Sequence, residues 1–187
     1  MIRFATIEDC SALVPLVLVI LKDMELPFLQ EVGEEKLTEL LNEAAKNPTY
    51  RYGYQRALVK EIDGKVAGVA FGFPSEAEQT VDQPFAEVLA QFGLPVKKIF
   101  TDLETFPGEW YLDTLSVSKD YRGQGIGSEL LDAIGMIATR DGKNRVGLCC
   151  DFHNLDAKRL YERKGFEIVG QQMIGSHHYH HMQKEIE

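Results

Sequence analysis

The stretch DYRGQGIGSELL, from Asp120 to Leu131, places three glycines within five residues and then continues at once as an apolar-periodic run. A helix start preceded by a loop without side chains is suited to bind an anion, because free backbone N–H groups and the positive end of the helix dipole converge there. The pattern therefore predicts a phosphate site. A glycine-rich turn without a ligand is the alternative, since such turns are common before helices.

Two well-known phosphate-binding loops do not fit this stretch. A P-loop requires Gly-x4-Gly-Lys-Ser/Thr, and no lysine follows a glycine at that position. The dinucleotide fingerprint requires Gly-x-Gly-x-x-Gly, whereas Gly123, Gly125 and Gly127 are spaced two and two. The glycines alone leave the kind of ligand open.

Composition and charge limit the classes of protein to consider. With 187 residues, 44% of them hydrophobic and 26% charged, the chain can bury one core, so residues 1–187 are predicted to form a single globular domain. The net charge of −9 and the lack of a Lys/Arg cluster argue against nucleic acid as a partner. The acidic balance gives a slight preference for a cationic small molecule or a basic peptide.

Neither disulfides nor membrane insertion is predicted. The cysteines have no disulfide or zinc spacing and fit a reducing cytosol, so we expect a cytoplasmic protein; they are Cys10, Cys149 and Cys150. The apolar run Ala12–Leu21 is too short to span a bilayer and lacks the flanks of a signal peptide. We expect a buried helix there, preceded by a capping box at Thr6 and Asp9 and kinked or split by Pro15.

The remaining patterns alternate between strands and helices. Strands are predicted at Ile2–Ala5, at Tyr54–Pro74 as a hairpin that turns at Asp63-Gly64, and at Gly108–Ser118, Arg145–Asp151, Phe166–Met173 and His177–Ile186. Helices are predicted at Glu35–Asn47, from the glycine loop to Arg140, and from Asn154 to about Lys164. This order favours an α/β or α+β fold with a mixed sheet.

The segment Ser75–Pro107 interrupts this regular order. It contains three prolines and one short helix-like run, Phe85–Gly93, between two predicted strands that would otherwise be neighbours. It is too long for a simple hairpin loop, so we predict an insertion at about 75–107 with its own small structure. Such an insertion often forms one wall of a site.

Two motifs resemble those of the GCN5-related N-acetyltransferase (GNAT) superfamily. That family's pyrophosphate loop has the form Arg/Gln-x-x-Gly-x-Gly/Ala, which the chain matches at Arg122, Gly125 and Gly127. Its second motif is Asn-x-x-Ala-x-x-Leu-Tyr-x-x-x-Gly-Phe, matched at Asn154, Ala157, Leu160, Tyr161, Gly165 and Phe166. The resemblance covers about residues 110–169.

The resemblance implies a mostly antiparallel central sheet flanked by helices. It also implies direct transfer of an acetyl group from acetyl-coenzyme A to an amine of a small molecule or peptide. The pyrophosphate would lie on the N–H groups of residues 122–127, and the pantetheine arm would pair like a strand with the backbone of residues 115–117. Arg122 would add positive charge near the phosphates or be a solvated loop residue. The coenzyme-binding residues implied are Leu115, Val117, Arg122, Gly123, Gln124, Gly125, Ile126, Gly127, Asn154 and Tyr161.

The same resemblance suggests two groups for the chemical step. Tyr161 matches the family's general acid, which protonates the departing thiolate, and the backbone amide of Val117 would polarise the thioester carbonyl. A tyrosine that only packs on the apolar face of its helix is the alternative.

The general base is predicted on the strand before the glycine loop, where the family often has a carboxylate. By the alternation of a strand, Glu109, Tyr111 and Asp113 are expected to share the face of Leu115 and Val117. Asp113 is the first candidate for the base and Glu109 the second. A water relay with no single base is the alternative.

The tract HHYHH, His177–His181, has no acidic or cysteine partner nearby in the sequence, so no metal site is predicted and a structural or surface strand is favoured. One of its histidines is a candidate for lining the acceptor pocket. A non-catalytic acyl-coenzyme A-binding module is the alternative function. Whether the chain forms a homodimer is left open.

Overall fold

Seven strands form one mixed sheet in the computed structural model, which describes residues 1–187. The strands are β1 (Ile2–Phe4), β2 (Ala57–Ile62), β3 (Lys65–Pro74), β4 (Trp110–Val117), β5 (Arg145–Asp151), β6 (Glu167–Ile174) and β7 (His177–Glu185). The helices are α1 (Cys10–Asp23), α2 (Pro27–Val32), α3 (Glu34–Ala45), α4 (Gln83–Gln91), α5 (Ile126–Arg140) and α6 (Leu155–Arg163). Every predicted strand and helix is present, and α2 is an addition that the sequence patterns did not indicate.

The strand order β1-β2-β3-β4-β5-β7-β6 confirms the predicted mixed, mostly antiparallel sheet. All neighbouring strands are antiparallel except β4 and β5. The connection between these two parallel strands runs through α5, as a parallel pair requires a crossover. The carboxyl ends of β4 and β5 therefore lie at the same edge of the sheet.

A 3-10 turn, Ile7–Asp9, leads into α1 and has the predicted capping box, in which Thr6 and Asp9 satisfy each other's backbone groups. Pro15 does not split the helix, which is continuous from Cys10 to Asp23. The proline lies in the second turn, where its missing N–H removes one backbone hydrogen bond from an otherwise buried apolar helix. Neither α1 nor any other helix is both long enough and apolar enough to span a bilayer.

Helices cover both faces of the sheet. Val69 and Phe71 are fully buried against α1, α3 and α4 on one face, and Ala70, Trp110 and Leu112 are buried with α5 on the other. Alternate residues of β3 thus belong to different cores, as expected for a strand that is covered on both sides. Full burial of each large apolar side chain contributes about 1.5–3 kcal/mol to stability.

The segment Ser75–Pro107 contains short helices and packs against the main core. It contains a short 3-10 helix and α4, followed by irregular chain. Phe85, Val88 and Leu89 of α4 are buried in the same core as α1 and α3. The predicted insertion thus shares its core with the rest of the chain, because the apolar face of α4 is covered by packing against the main core.

Strand β4 has a β-bulge at Asp113. In its ladder with β3, Phe71 pairs with Thr114 and Gly72 pairs with Leu112, which leaves Asp113 as the extra residue. A bulge bends its strand and increases the local twist. The bulge therefore changes the direction of β4 halfway along its length.

Strands β4 and β5 diverge beyond their first residues. Their ladder contains two pairs, Trp110 with Val146 and Tyr111 with Gly147, whereas β4 pairs with β3 over seven residues. The second half of β4 consequently has one edge that is not paired with a strand. This gap opens at the edge of the sheet where both parallel strands end.

Candidate active site

The glycine loop leaves a run of backbone donors free. No acceptor in the protein is hydrogen-bonded to the N–H groups of the six residues from Gly123 to Ser128. Gly123 and Gly125 have φ angles of +75° and +79°, which L-residues with side chains rarely adopt, and Gly125 is the N-cap of α5. This helix start has the donors and the dipole that an anion requires.

A basic cleft of about 540 Å³ lies over this loop. It is lined by the loop, the end of β4 and part of α6, with Arg122, Arg163 and Lys164 as its charged residues and no aspartate or glutamate. Nε of Arg122 donates to the carbonyl oxygen of Val117 at 3.3 Å, which ties the loop to the end of β4. Nζ of Lys164 is paired with Asp132 at 2.6 Å, so Arg122 and Arg163 supply the unpaired positive charge beside the free N–H groups.

Several predicted coenzyme residues line this basic cleft, and others do not. Those that line it are Val117, Arg122, Gly123, Gly125, Ile126 and Gly127. Those outside its lining are Leu115, Gln124, Asn154 and Tyr161. Asn154 instead caps α6, where its side chain accepts a hydrogen bond from the N–H of Ala157 at 3.1 Å.

The backbone of Val117 faces the gap between β4 and β5. The next residue, Ser118, donates its N–H to Ala67 at 2.9 Å, on the side of β3. Because successive N–H groups of a strand point to opposite sides, the N–H of Val117 points away from β3. Its carbonyl, which accepts from Arg122, lies on that same side. This N–H is thus available to an acceptor in the gap.

Tyr161 lies on α6 with its ring packed edge-on against Phe166 at a centroid distance of 5.9 Å. It is partly buried among the residues of the α5 core. Burial raises the pKa of Tyr161 to about 12, and no hydrogen bond perturbs it. The hydroxyl therefore stays protonated at neutral pH and has its proton free to donate.

Glu109 is fully buried and does not line the basic cleft. Its carboxylate accepts hydrogen bonds from the N–H of Phe106 at 2.8 Å and from Nε2 of Gln183 at 2.7 Å. Nε2 of His181 lies 2.9 Å from the same carboxylate, and the His181 ring stacks on Phe106 at 3.6 Å. Glu109 thus joins the start of β4 to β7, in contact with protein groups alone.

Cys149 completes an arrangement with His181 and Glu109 that outwardly resembles a nucleophile and its base. Its Sγ lies 3.6 Å from Nδ1 of His181. Burial, however, raises the pKa of Cys149 to about 12, so the group stays a thiol at neutral pH. Gln172 donates to the sulfur at 3.2 Å. The arrangement is a buried polar network between strands.

Asp113, the bulge residue, is engaged in a buried ion pair with Nη1 of Arg51. Arg51 also binds Asp82 through two hydrogen bonds of 3.0 and 2.9 Å, and its guanidinium lies 4.3 Å from the ring centroid of Phe100. Oδ2 of Asp113 accepts from the hydroxyl of Thr114 at 2.9 Å. The carboxylate therefore connects β4 to the 75–107 segment through arginine.

The expected alignment of candidate bases with Leu115 and Val117 is wrong. Leu115 and Val117 pack against the α5 core, whereas Tyr111 packs in a small cluster on the opposite face. The extra residue at Asp113 breaks the period of two, so the halves of β4 before and after the bulge turn their odd-numbered residues to opposite faces. Glu109, in the first half, belongs with Tyr111 by the same alternation.

A second, acidic cleft of about 590 Å³ lies at the carboxyl end of β5. Its wall is formed by the end of α1 and the loop to α2, by residues 99–104, and by the turn between β6 and β7 with Asp151 and Tyr179. His177, from the histidine tract, also lines it. No group of three or more His, Cys, Asp or Glu side chains in the structure is arranged to hold a metal ion.

Glu104 is the carboxylate in the acidic cleft with the most perturbed environment. Its Oε2 accepts a hydrogen bond from the hydroxyl of Tyr111 at 2.7 Å. Burial, together with the nearby charge of Asp113, raises the pKa of Glu104 to about 7. A carboxyl group with this pKa is suited to accept a proton near neutral pH.

The backbone of Glu104 is held on both sides. Its N–H donates to Oε1 of Glu78 at 2.6 Å, and its carbonyl accepts from Nε2 of Gln172 at 2.9 Å. No sequence pattern indicates Glu104, because it lies in the irregular part of the 75–107 segment and belongs to no motif. Only its contact with Tyr111 of β4 distinguishes it from neighbouring carboxylates.

Known proteins resemble this chain in family and in sequence motifs. Residues 19–166 match the model of the family described as "Acetyltransferase (GNAT) family". "GCN5-related N-acetyltransferase 4, chloroplastic" of Arabidopsis thaliana is 32% identical over 59 residues. This stretch is 32% of the present chain and 20% of the plant protein, so the chain matches one fifth of that relative's length.

Two solved structures are similar over nearly their whole length. A crystal structure described as that of an acetyltransferase is 54% identical, covers 100% of both chains and has a TM-score of 0.94. An N-acetyltransferase from Staphylococcus aureus Mu50 is 29% identical, with a TM-score of 0.83 over 98% of this chain and 100% of its own. The match thus includes the 75–107 segment as well as the glycine loop.

Proposed function

Because the chain belongs to the acetyltransferase (GNAT) family, which uses acetyl-coenzyme A, we propose that it transfers the acetyl group directly to a primary amine of a small molecule or peptide. The observation that carries this proposal is the run of free N–H groups at the start of α5, inside a cleft lined by three cationic side chains. Phosphates are the ligands that such a helix start prefers. No other surface of the chain combines these features with a gap between two parallel strands.

The coenzyme is proposed to lie with its pyrophosphate on the glycine loop. Its pantetheine arm extends into the gap between β4 and β5 and pairs with the backbone of residues 115–117. The free N–H of Val117 donates to the thioester carbonyl and stabilises the negative charge that develops on its oxygen. The supporting observation is that this N–H points away from β3.

Proton transfer in this proposal uses Glu104 and Tyr161. The amine nitrogen forms a bond to the carbonyl carbon as its surplus proton passes to Glu104. The carbon–sulfur bond then breaks, and the thiolate takes the proton of the Tyr161 hydroxyl. The pKa of Glu104 near 7 and that of Tyr161 near 12 suit an acceptor and a donor of protons at neutral pH. Asp113 and Glu109, the candidates from the sequence, have protein partners that occupy their carboxylates.

The proposal is tested by an amine panel with acetyl-coenzyme A, in which the release of free thiol is followed. Polyamines, amino acids, aminoglycosides and peptides with free N-termini cover the main acceptor classes. Turnover with any amine supports the acetyltransferase. Binding of acetyl-coenzyme A without turnover on the whole panel would instead favour a non-catalytic module.

The three free cysteines suit a reducing compartment, and we propose that the protein is located in the cytoplasm.

Gly125→Val is expected to abolish the thermal stabilisation given by acetyl-coenzyme A. Ligand at 100 times its Kd should add about 2.7 kcal/mol to the free energy of unfolding of the parent protein. A branched side chain at Gly125 resists the φ of +79° and occupies space in front of the N–H groups. Melting curves with and without the ligand measure the effect.

Gly142→Val is the matched control for that variant. Gly142 follows the other end of α5, has a φ of +76°, and like Gly125 has no atom within 4 Å of an added Cβ. The control should lose stability by a similar amount and keep its response to acetyl-coenzyme A. A response that survives in Gly125→Val would contradict the phosphate assignment.

Tyr161→Phe is expected to lower kcat by about a hundredfold, the low end of general-acid effects, with little change in coenzyme affinity. The substitution keeps the ring and its packing on Phe166 and removes only the proton. A thiol has a pKa of ~8.5, so an acid helps its departure without being indispensable. Steady-state kinetics from pH 6 to 9 measure the change. Turnover within about threefold of the parent would show that Tyr161 is only a packing residue. Tyr54→Phe, which removes a tyrosine hydroxyl in the other core, serves as the control.

A further inference from the structure

The charges of the acidic cleft are uncompensated. Its lining contains no lysine or arginine and five carboxylates: Asp23, Glu25, Asp102, Glu104 and Asp151. None of the five lies within 4.0 Å of a lysine or arginine nitrogen, and only Asp151 approaches a histidine, at 3.7 Å from His177. Arg51, close to Glu104, is already bound to Asp82 and Asp113. The protein itself therefore supplies no cation to this cleft.

The two clefts have opposite charge although the chain as a whole has a net charge of −9. The basic cleft has three cationic residues and no carboxylate, and the acidic cleft has the reverse. An anionic coenzyme is complementary to the first. By the same argument, the ligand of the second carries positive charge, since a concave surface of one sign concentrates ligands of the other.

Glu104 gives this cleft a carboxylate with one oxygen that is free to bind a ligand. Its Oε2 is bound by Tyr111, but Oε1 has no hydrogen-bond partner in the protein, and the side chain is largely buried. This oxygen is not among the buried unpaired atoms of the protein, so it is accessible from the cleft and can accept a charge-assisted hydrogen bond from a cationic ligand. Asp23, the last residue of α1, and Glu25, in the loop that follows, also line the cleft, and both are exposed and in no ion pair.

We propose that the acceptor is a small linear amine with two positive charges, an α,ω-diamine or a longer polyamine. This inference rests on the proposed function and specifies its substrate class. One nitrogen lies at Glu104: its ammonium form first releases a proton to solvent, and the neutral amine then attacks the thioester as its second proton passes to Glu104. The other stays protonated among Asp23, Glu25 and Asp102. The apolar side chains of the cleft, among them Met24, Ile99 and Phe100, contact the methylene chain between the two nitrogens.

Three ligands of similar length separate the effect of charge from that of shape. We expect kcat/KM for 1,4-diaminobutane to exceed that for butylamine by about tenfold or more, because only the diamine has a second charged group that can hydrogen-bond to the carboxylates. The anionic end of 4-aminobutanoate should make it the poorest of the three. Thiol release from acetyl-coenzyme A at constant ionic strength measures all three values.

Variants of the cleft carboxylates test whether the preference for 1,4-diaminobutane over butylamine arises in the acidic cleft. The double substitution Asp23→Asn/Glu25→Gln should lower the ratio of the diamine value to the butylamine value by about three- to tenfold. Asp102→Asn should lower it as well, while its side-chain oxygen can still accept the 2.7 Å hydrogen bond from the N–H of Gly175. Glu87→Gln removes an exposed charge on α4 that lines neither cleft, and it should leave the ratio unchanged.

The outcomes distinguish this inference from the proposed function. If butylamine or 2-phenylethylamine is acetylated as efficiently as 1,4-diaminobutane, the dicationic acceptor is refuted and the acetyltransferase stands. If no amine releases thiol, the acetyltransferase fails, and calorimetric titration of 1,4-diaminobutane into coenzyme A-saturated protein decides the inference. Binding that weakens in Asp23→Asn/Glu25→Gln supports the cleft assignment, and absence of binding to the parent protein overturns it.

Discussion

Replacing Glu104 with glutamine is expected to lower kcat/KM by about a thousandfold, within the range of general acid–base effects. Glutamine has nearly the same shape and keeps an oxygen that accepts from the Tyr111 hydroxyl, but it cannot take the proton of the amine. The parent profile of kcat/KM should bend near pH 7, where Glu104 becomes a carboxylate. The variant should lack this bend and retain only the rise due to the amine's own titration.

Glu104→Gln is expected to lose activity but not stability, so measuring both separates loss of chemistry from loss of fold. The pKa of Glu104 is raised from 4.5 to about 7, so the unfolded chain loses this proton first as the pH rises. The group therefore costs stability progressively between about pH 4.5 and 7, and fully above that window. Glu104→Gln should be at least as stable as the parent at pH 8 in thermal unfolding. An active variant with an unchanged pH profile would exclude Glu104 as the base, and Glu87→Gln controls for loss of charge.

Asp113→Asn is expected to reduce the free energy of unfolding by about 3 kcal/mol, because removing one partner of a buried ion pair leaves the other charge poorly compensated. Arg51 would keep only Asp82, whose side chain is 28% exposed against 6% for Asp113. Urea unfolding can be followed by the fluorescence of Trp110, the single tryptophan, which is fully buried.

Asp63→Asn is the control, since Asp63 occupies the exposed β2–β3 turn and makes no ion pair. Its stability should stay within about 0.5 kcal/mol of the parent value. The Asp113 variant also tests the alternative for the base that the sequence suggested. Full stability together with a loss of activity of a hundredfold or more would make Asp113 the proton acceptor and contradict the ion-pair role.

The sequence predicted the features of this fold that depend on local chemistry. The alternation of strands, the apolar period of α5 and the caps at Thr6 and Asn154 are each encoded within a few residues. The glycine loop was predictable for the same reason, because backbone with positive φ angles favours glycine, and the glycines can be read directly from the sequence. Local rules of this kind require no knowledge of the neighbouring elements.

Other features depend on contacts that are distant in sequence. The bulge at Asp113 depends on the register between β3 and β4, and no pattern in the sequence of β4 indicates it. Glu104 owes its raised pKa to burial and to the proximity of Asp113, and Arg51 meets Asp113 across 62 residues. The candidate base and the charge of the acidic cleft therefore follow from tertiary structure alone.

The bulge also limits how this family of sequences can vary in length. Deleting the single residue at Asp113 would make β4 a regular strand, and then Trp110 and Leu112 could no longer face α5 together with Leu115. One half of the strand would have to turn its apolar side chains out of their core. Relatives that align along β4 should accordingly tolerate a substitution at position 113 far better than a deletion. The number of residues in the strand is therefore a more stringent indicator of common ancestry than the residue type at this position.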